Sequence, residues 1–225
     1  MTNQLEPLNT ERHRLLRVGA PVPDGRNFVP IVPSEFAAAA ATCPILFSKS
    51  PETGQFYAGA MFGFRPEEPS LAIDDAFVPL DLQRQAFFVS GDEIAVDLEH
   101  SRIGAADGQL LFDEEAQPSQ ALNRIQRALA LLTVGADPTQ AFIRSLLDLK
   151  LIEPIDISLH FDDGETLRLQ GVYTVARDSL QDLGDADTLK LFRAGHLQLA
   201  YLMLASLEHI SLMAGRRNRR LAQGL

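Results

Sequence analysis

The sequence predicts an α+β fold: a mainly antiparallel sheet with hairpins, packed against an α-helical C-terminal half. Three observations carry that expectation. Apolar residues alternate over short runs separated by turn chemistry, as in 45–64, 86–98 and 155–175. From Ser119 the apolar period lengthens to three and four residues, as an amphipathic helix requires. After residue 175 the chain reads as helix almost to its end.

Taken in order, residues 1–26 are polar and broken by Pro7, Pro21 and Pro23, and read as a flexible N-terminal arm. Phe28 to Pro33 follows as an extended segment whose two prolines suit a sheet edge. Ser34 is a candidate cap for a short helix over Ala37–Ala41, which must end near Pro44. Ile45–Ser48 and Gln55–Phe64 form a hairpin around Ser50-Pro51-Glu52-Thr53-Gly54. In the second run, Phe56, Ala58, Ala60 and Phe62 share one face, and Tyr57, Gly59, Met61 and Gly63 the other. Both faces are small or apolar, so the strand is expected inside the sheet. Further strands fit Ala86–Val89, Glu93–Leu98 and Leu110–Phe112.

Leu122, Ile125, Leu129 and Leu132 place one face of a helix that Gly135-Ala136-Asp137-Pro138 should break. A second helix is expected over 139–149. Ile155–Phe161 and Thr166–Val175 read as a second hairpin about Asp162-Asp163-Gly164-Glu165. Helices are then expected over 179–183, 187–194 and 196–213, the last apolar round most of its circumference and lying under or across the sheet. The domain plan is an arm (1–26), a single domain (27–215) and a basic C-terminal tail (216–225).

With 225 residues, 46% of them hydrophobic, the chain can bury about 70% of its unfolded surface without disulfide or metal. The formal charge of −10 is the wrong sign for a nucleic-acid footprint. One cysteine, Cys43, precludes an internal disulfide and fits a reducing, cytoplasmic setting. No run approaches the roughly 20 apolar residues of a membrane span, and neither nucleic acid nor membrane is expected as a partner.

Chemical motifs are few. There is no Gly-x-Ser-x-Gly elbow, no phosphate loop and no dinucleotide fingerprint. Cys43 reads as a small buried hydrophobe rather than a nucleophile. The carboxylate pairs Asp74-Asp75, Asp92-Glu93, Asp113-Glu114-Glu115 and Asp162-Asp163 sit in turn-like contexts that predict solvent. Asp97, Glu99 and His100 are the best local metal-ligating cluster, and an iron site would need a further histidine such as His160. Arg216, Arg217, Arg219 and Arg220 are either a contact patch for an acidic protein or cations at a helix C-terminus.

Four stretches in this order resemble the SapC family of bacterial proteins. They are Phe28–Phe36 with Cys43–Phe47, Ile94–Asp97 with Leu110–Asp113, Leu151–Ile155 with Leu167–Val175, and Leu191–Leu197 through Tyr201 to Leu207. The resemblance spans roughly 26–213. It departs from the family in lacking any tryptophan and in carrying Met203 where similar proteins often have a histidine. The resemblance implies an association with bacterial surface layers and serum resistance, and genomic company with flavin-dependent halogenases and outer-membrane receptors. It supplies no catalytic residues.

Two functions follow as expectations. The first is a non-catalytic binding or accessory protein for a protein or peptide partner, without cofactor. It would be tied to surface-layer, envelope or peptide-handling systems, with Phe28, Pro30 and the four arginines as contacts and a homodimer through the apolar C-terminal helix. The alternative is an iron-dependent oxygenase or tailoring enzyme using Asp97, Glu99 and His100.

Overall fold

The structure is a computed structural model that describes residues 5–21, 25–72 and 77–223. Its strands are β1 (Leu5–Pro7), β2 (Arg17–Val18), β3 (Phe28–Pro30), β4 (Ile45–Lys49), β5 (Phe56–Met61), β6 (Phe87–Ser90), β7 (Glu93–Asp97), β8 (Gln109–Leu110), β9 (Ile152–Pro154), β10 (Ile157–His160), β11 (Thr166–Leu169) and β12 (Val172–Val175). Its helices are α1 (Phe36–Ala40), α2 (Leu80–Gln83), α3 (Gln120–Asp148), α4 (Arg177–Gln181), α5 (Asp185–Arg193), α6 (His196–Ser206) and α7 (Glu208–Gln223). Every described strand pairing is antiparallel, and the fold is α+β.

By contacts the chain divides into two compact units, Met1–Asp24 with Val78–Val134, and Gly25–Phe77 with Gly135–Leu225. In the first, the segment read as an arm supplies strands: β1 adds to the β6–β7 hairpin in the order β1-β7-β6, and β2 pairs with β8. Met1–Gln4 and Val22–Asp24 lie outside the described residues. Val18, Phe87, Val96, Leu111, Leu122 and Ile125 form its apolar core.

The second unit is built on a five-stranded sheet of order β3-β5-β4-β12-β9. The two faces of β5 separate as its alternation predicts. Ala58 and Ala60 join Ile45, Phe47 and Val175 under a helical layer that includes Phe36, Phe142, Leu191, Ala200 and Met203. Phe142 meets Phe36 edge-on at 5.9 Å and Phe47 at 5.8 Å, within the range of favourable aromatic pairs. Met61 and Leu46 face the other way, into a cluster with Phe64, Phe161, Leu169, Ile210 and Met213. Helix α6 thus serves one face of the sheet and α7 the other, with the break between them at Leu207. The continuous His196–Gln223 stretch is long and apolar enough to cross a membrane by length and composition. Its inward side chains Ala200, Met203, Leu204, Ile210 and Met213 lie in these two cores. At the same turn, Ser206 Oγ donates to Met203 O (2.7 Å) and accepts the buried Ile45 amide (2.8 Å), satisfying a strand N–H.

Three local expectations are corrected. The short helix is not capped by Ser34; the Glu35 carboxylate reaches back to the Val32 amide at 3.0 Å instead. The second hairpin is one long ribbon with a bulge. Ile157 pairs with Leu169 and Pro154 with Tyr173, so Ile155 and Asp156 oppose Gln170, Gly171 and Val172. Gly171 takes φ 72°, which a β-carbon would strain, and the extra residue turns β10–β11 out of the main sheet.

Third, α3 does not break at Gly135–Pro138 but runs for 29 residues through it. Ser119 Oγ accepts the Leu122 amide at its start. Leu122, Ile125 and Leu129 pack into the first unit's core, and Phe142, Ile143 and Leu146 into the second's. Gly135 lies against Val32, where a Cβ would come within 2.6 Å, and Thr139 Oγ1 donates to Gly135 O at 2.7 Å. Burial on both halves therefore overrides the proline, whose own ring is exposed. Since an interior proline costs about 3 kcal/mol relative to alanine, Pro138→Ala should raise stability by about 1–3 kcal/mol, part being offset by a freer unfolded chain. Urea denaturation followed by circular dichroism reads this directly. An unchanged or lower midpoint would mean that the fold needs the proline's backbone geometry.

Candidate functional site

Phe28 is the sequence-derived contact residue that the structure places in a concavity. An open groove of about 610 Å³ lies in the second unit, between the sheet and the β10–β11 ribbon. Phe28, Ser48, Tyr57, Met61 and Val172 come from the sheet, and Leu167, Arg168, Leu169 and Gln170 from the ribbon and its bulge. The Phe28 and Tyr57 rings meet edge-on at 5.8 Å. The Phe28 ring lies against Gly59, where any Cβ would come within 2.4 Å of it. The small residue in β5 is therefore what seats the aromatic wall. Ser48 Oγ donates to Gly171 O at 3.2 Å, tying the sheet to the bulge that opens the groove. Asn27 Nδ2 donates to Gly63 O at 3.2 Å.

Pro30 is exposed on the edge strand β3, as its sequence context predicts. The Ile31 amide donates inward to Ala58 O at 3.0 Å, and Asn27 O accepts inward from Phe62 at 2.8 Å. With this alternation the outward-facing residues are Phe28 and Pro30, and Pro30 has no N–H. The opposite edge, β9, ends in Pro154 in the equivalent phase, since Ile155 donates inward to Val172 O. Both edges are thus poor templates for an added strand. Recognition on this unit falls to side chains, in the groove.

The basic residues lie on α7 rather than in a tail, with Gly224 and Leu225 outside the described residues. Arg217 Nε donates to Glu68 Oε1 and its Nη2 to Glu165 Oε2, each at 2.8 Å, while its guanidinium sits 4.0 Å from the Phe161 ring centroid. Burial lowers the Arg217 pKa, but Glu165 and Glu68 outweigh it and the net displacement is upward. Arg216 donates to Leu71 O, and Arg220 to Pro69 O at 2.8 Å and Ser70 O at 2.5 Å. Three of the four arginines thus hold the 64–71 loop and the ribbon's tip; Arg219 is exposed.

Asp97, Glu99 and His100 are in the first unit and do not converge on a cation. The Asp97 carboxylate accepts the Glu99 amide at 3.0 Å, closing a turn, and His100 Nδ1 accepts the Arg102 amide at 3.1 Å. Glu99 points to solvent. His160 is exposed in the second unit against Thr166 Oγ1 (3.0 Å). Among the described residues no three His, Cys, Asp or Glu side chains are placed to hold a metal.

Cys43 is fully buried, with its thiol against Ala39 O at 3.5 Å. Burial pushes its pKa up to about 12, partly countered by the Thr42 hydroxyl, so it carries almost no thiolate at neutral pH. The carboxylates Asp92, Glu93, Asp113, Glu114, Glu115, Asp162 and Asp163 are exposed, and Asp74 and Asp75 lie outside the described residues. His196 stands beside Phe142 at 5.5 Å, with its pKa lowered by burial and Nδ1 unpartnered among the described residues. Leu189, Phe192 and Tyr201 are exposed apolar residues of α5 and α6. Sequence reasoning missed Ser48, Tyr57 and the ribbon's Leu167–Gln170. Their one signal was the Tyr57-x-Gly59-x-Met61 face opposite the alanines.

Compared with protein-family models, the chain matches the one described as SapC over residues 8–213. No curated protein and no solved structure matches it.

Proposed function

The chain belongs to the SapC family, and we propose that this member is a non-catalytic binding or accessory protein that holds a peptide segment of a protein partner in the groove beside Phe28 and Tyr57. The observation that supports this is the groove itself: its volume is within the roughly 300–1,000 Å³ of ligand sites, and apolar and aromatic side chains with a few polar groups line it. Half-buried Phe28, Tyr57, Leu167 and Val172 offer anchoring surface for such a segment. The envelope and surface-layer systems associated with the family name are the natural source of such a partner.

The test is selection of random displayed peptides on the full chain, with each enriched peptide then measured in solution. Ser48→Phe fills the groove from a half-buried position. It should weaken enriched peptides at least tenfold while the far-ultraviolet circular dichroism spectrum stays that of the folded chain, and Tyr57→Ala should do the same. No enrichment, or binding indifferent to both substitutions, would overturn the reading.

A further inference from the structure

The inward apolar side of α6 is not available to a second copy, since Ala200, Met203 and Leu204 are buried in the chain's own core. The uncovered apolar stripe lies one helix earlier. Helix α5 turns Leu191 into the core and keeps Asp187 and Thr188 half-buried on the same side. Its opposite side carries Asp185, Ala186, Leu189 and Arg193, flanked by Phe192, and all five are exposed. Leu189 is 45% exposed and Phe192 68%, and Phe192 is the one exposed phenylalanine among the described residues. An acidic residue at the start of a helix and a basic one at its end suit the dipole, which accounts for Asp185 and Arg193 taken singly. It does not account for two large apolar side chains left in water between them. Among the described residues neither Asp185 nor Arg193 enters an ion pair or a side-chain hydrogen bond. Neither has an opposite charge three or four residues away on its own helix.

We infer that α5 is a self-association surface, covered by the α5 of a second copy of this chain. The stripe is acidic at one end, apolar in the middle and basic at the other, with Leu189 four residues from each charge. The two charges therefore stand about 12 Å apart along the helix axis. A second α5 laid antiparallel about Leu189 brings each Asp185 to the Arg193 of the other copy. Each Phe192 then comes level with the other copy's Ala186, whose methyl leaves room for the ring. A two-fold axis needs a patch complementary to itself, and this pattern is. The contact is one nine-residue helix against another, at the low end of interface sizes (under about 1,200 Å²). A net charge of −10 on each copy opposes it further, so the dimer is weak and concentration-dependent. None of these residues lines the groove, so the inference stands apart from the peptide-binding role.

Sedimentation velocity of the full chain at low salt, from about 10 µM to about 1 mM, reads the association. The mean mass should climb towards that of a dimer over this range, and Phe192→Ser should keep the chain monomeric throughout. Asp185→Arg places like charges at both ends of the antiparallel pair, as does Arg193→Asp, and each should weaken association about fivefold or more. The two reversals in one chain restore opposite charges across the pair and should return the affinity to within about twofold of the unmodified chain. An equimolar mixture of the two single variants should recover it as well, because the two arginines of one copy then meet the two aspartates of the other. All three positions are exposed, so the substitutions leave the core untouched. A chain still monomeric at the highest concentration, or a dimer indifferent to Phe192→Ser, overturns the inference. So does a double reversal no better than either single one, since the charges then do not meet across the two-fold axis.

Discussion

Replacing Arg217 with methionine should cost the second unit about 2–4 kcal/mol, because the change leaves two partly buried carboxylates facing a thioether. The Arg217 side chain is 11% exposed, and those of Glu68 and Glu165 are 15% and 25% exposed. Glu68 cannot simply turn to water. Its other oxygen accepts the Phe64 amide at 2.9 Å and the Arg65 amide at 3.3 Å, fixing the start of the 64–71 loop. Glu165 keeps Arg65 as a second partner, which holds the loss below that of an isolated buried pair. The contact with the Phe161 face is lost as well. Arg217→Lys should recover little, since a single ammonium cannot serve two carboxylates on different elements and stack on the ring. Urea denaturation measures both variants. A loss under about 0.5 kcal/mol for the methionine variant, the range of ordinary surface substitutions, would mean that the ion pairs are solvated and hold nothing together.

The same arginine shows what the sequence could and could not reveal. Its partners are residues 68, 161 and 165, far along the chain, so the run Arg216–Arg220 carried only the local reading of cations near a helix end. Local alternation did better. Phe56–Phe62 announced a strand with two buried faces, and the Ser50–Gly54 turn placed its partner, because both signals lie within about twenty residues. Phe28 and Pro30 announced an edge, but the groove that Phe28 enters depends on Gly171, 112 residues nearer the C-terminus (171 − 59) than the Gly59 it covers. Nothing local marks Gln170-Gly171 as a bulge rather than the middle of a strand. For α3, Gly135 and Pro138 were real propensity signals, and the packing of Phe142 and Leu146 outweighed them. Asp97, Glu99 and His100 stood together only by adjacency in sequence: Asp97 Oδ1 and His100 Nδ1 accept amides of their own turn and Glu99 faces solvent, so among the described residues no third ligand joins them.

In the first unit the corresponding anchor is Arg102, which is 4% exposed. Its guanidinium donates to Gly19 O (3.1 Å), Leu82 O (3.2 Å), Gln83 O (2.9 Å) and Gln85 O (3.1 Å). Three of these carbonyls lie at or just beyond the C-terminal end of α2, where a helix runs out of its own donors and its dipole favours a cation; Leu82 O also accepts the Gln85 amide at 3.2 Å. Burial lowers the arginine's pKa to about 10, still far enough above neutral pH that the group stays charged. Arg102→Met removes the cost of burying that charge but strands several carbonyls, each worth about 1–3 kcal/mol when left unsatisfied. The second effect wins because it acts at several acceptors at once, and a net loss of about 3 kcal/mol or more is expected. Arg102→Lys should recover part of it, since three ammonium hydrogens serve some of the carbonyls but cannot span from Gly19 to Gln85 in one plane. Amide hydrogen exchange in β6 and β7, which lie in the same unit, should quicken by at least a hundredfold in the methionine variant. If those amides keep their protection, water replaces the guanidinium without loss, and the buried charge holds α2 no better than solvent would.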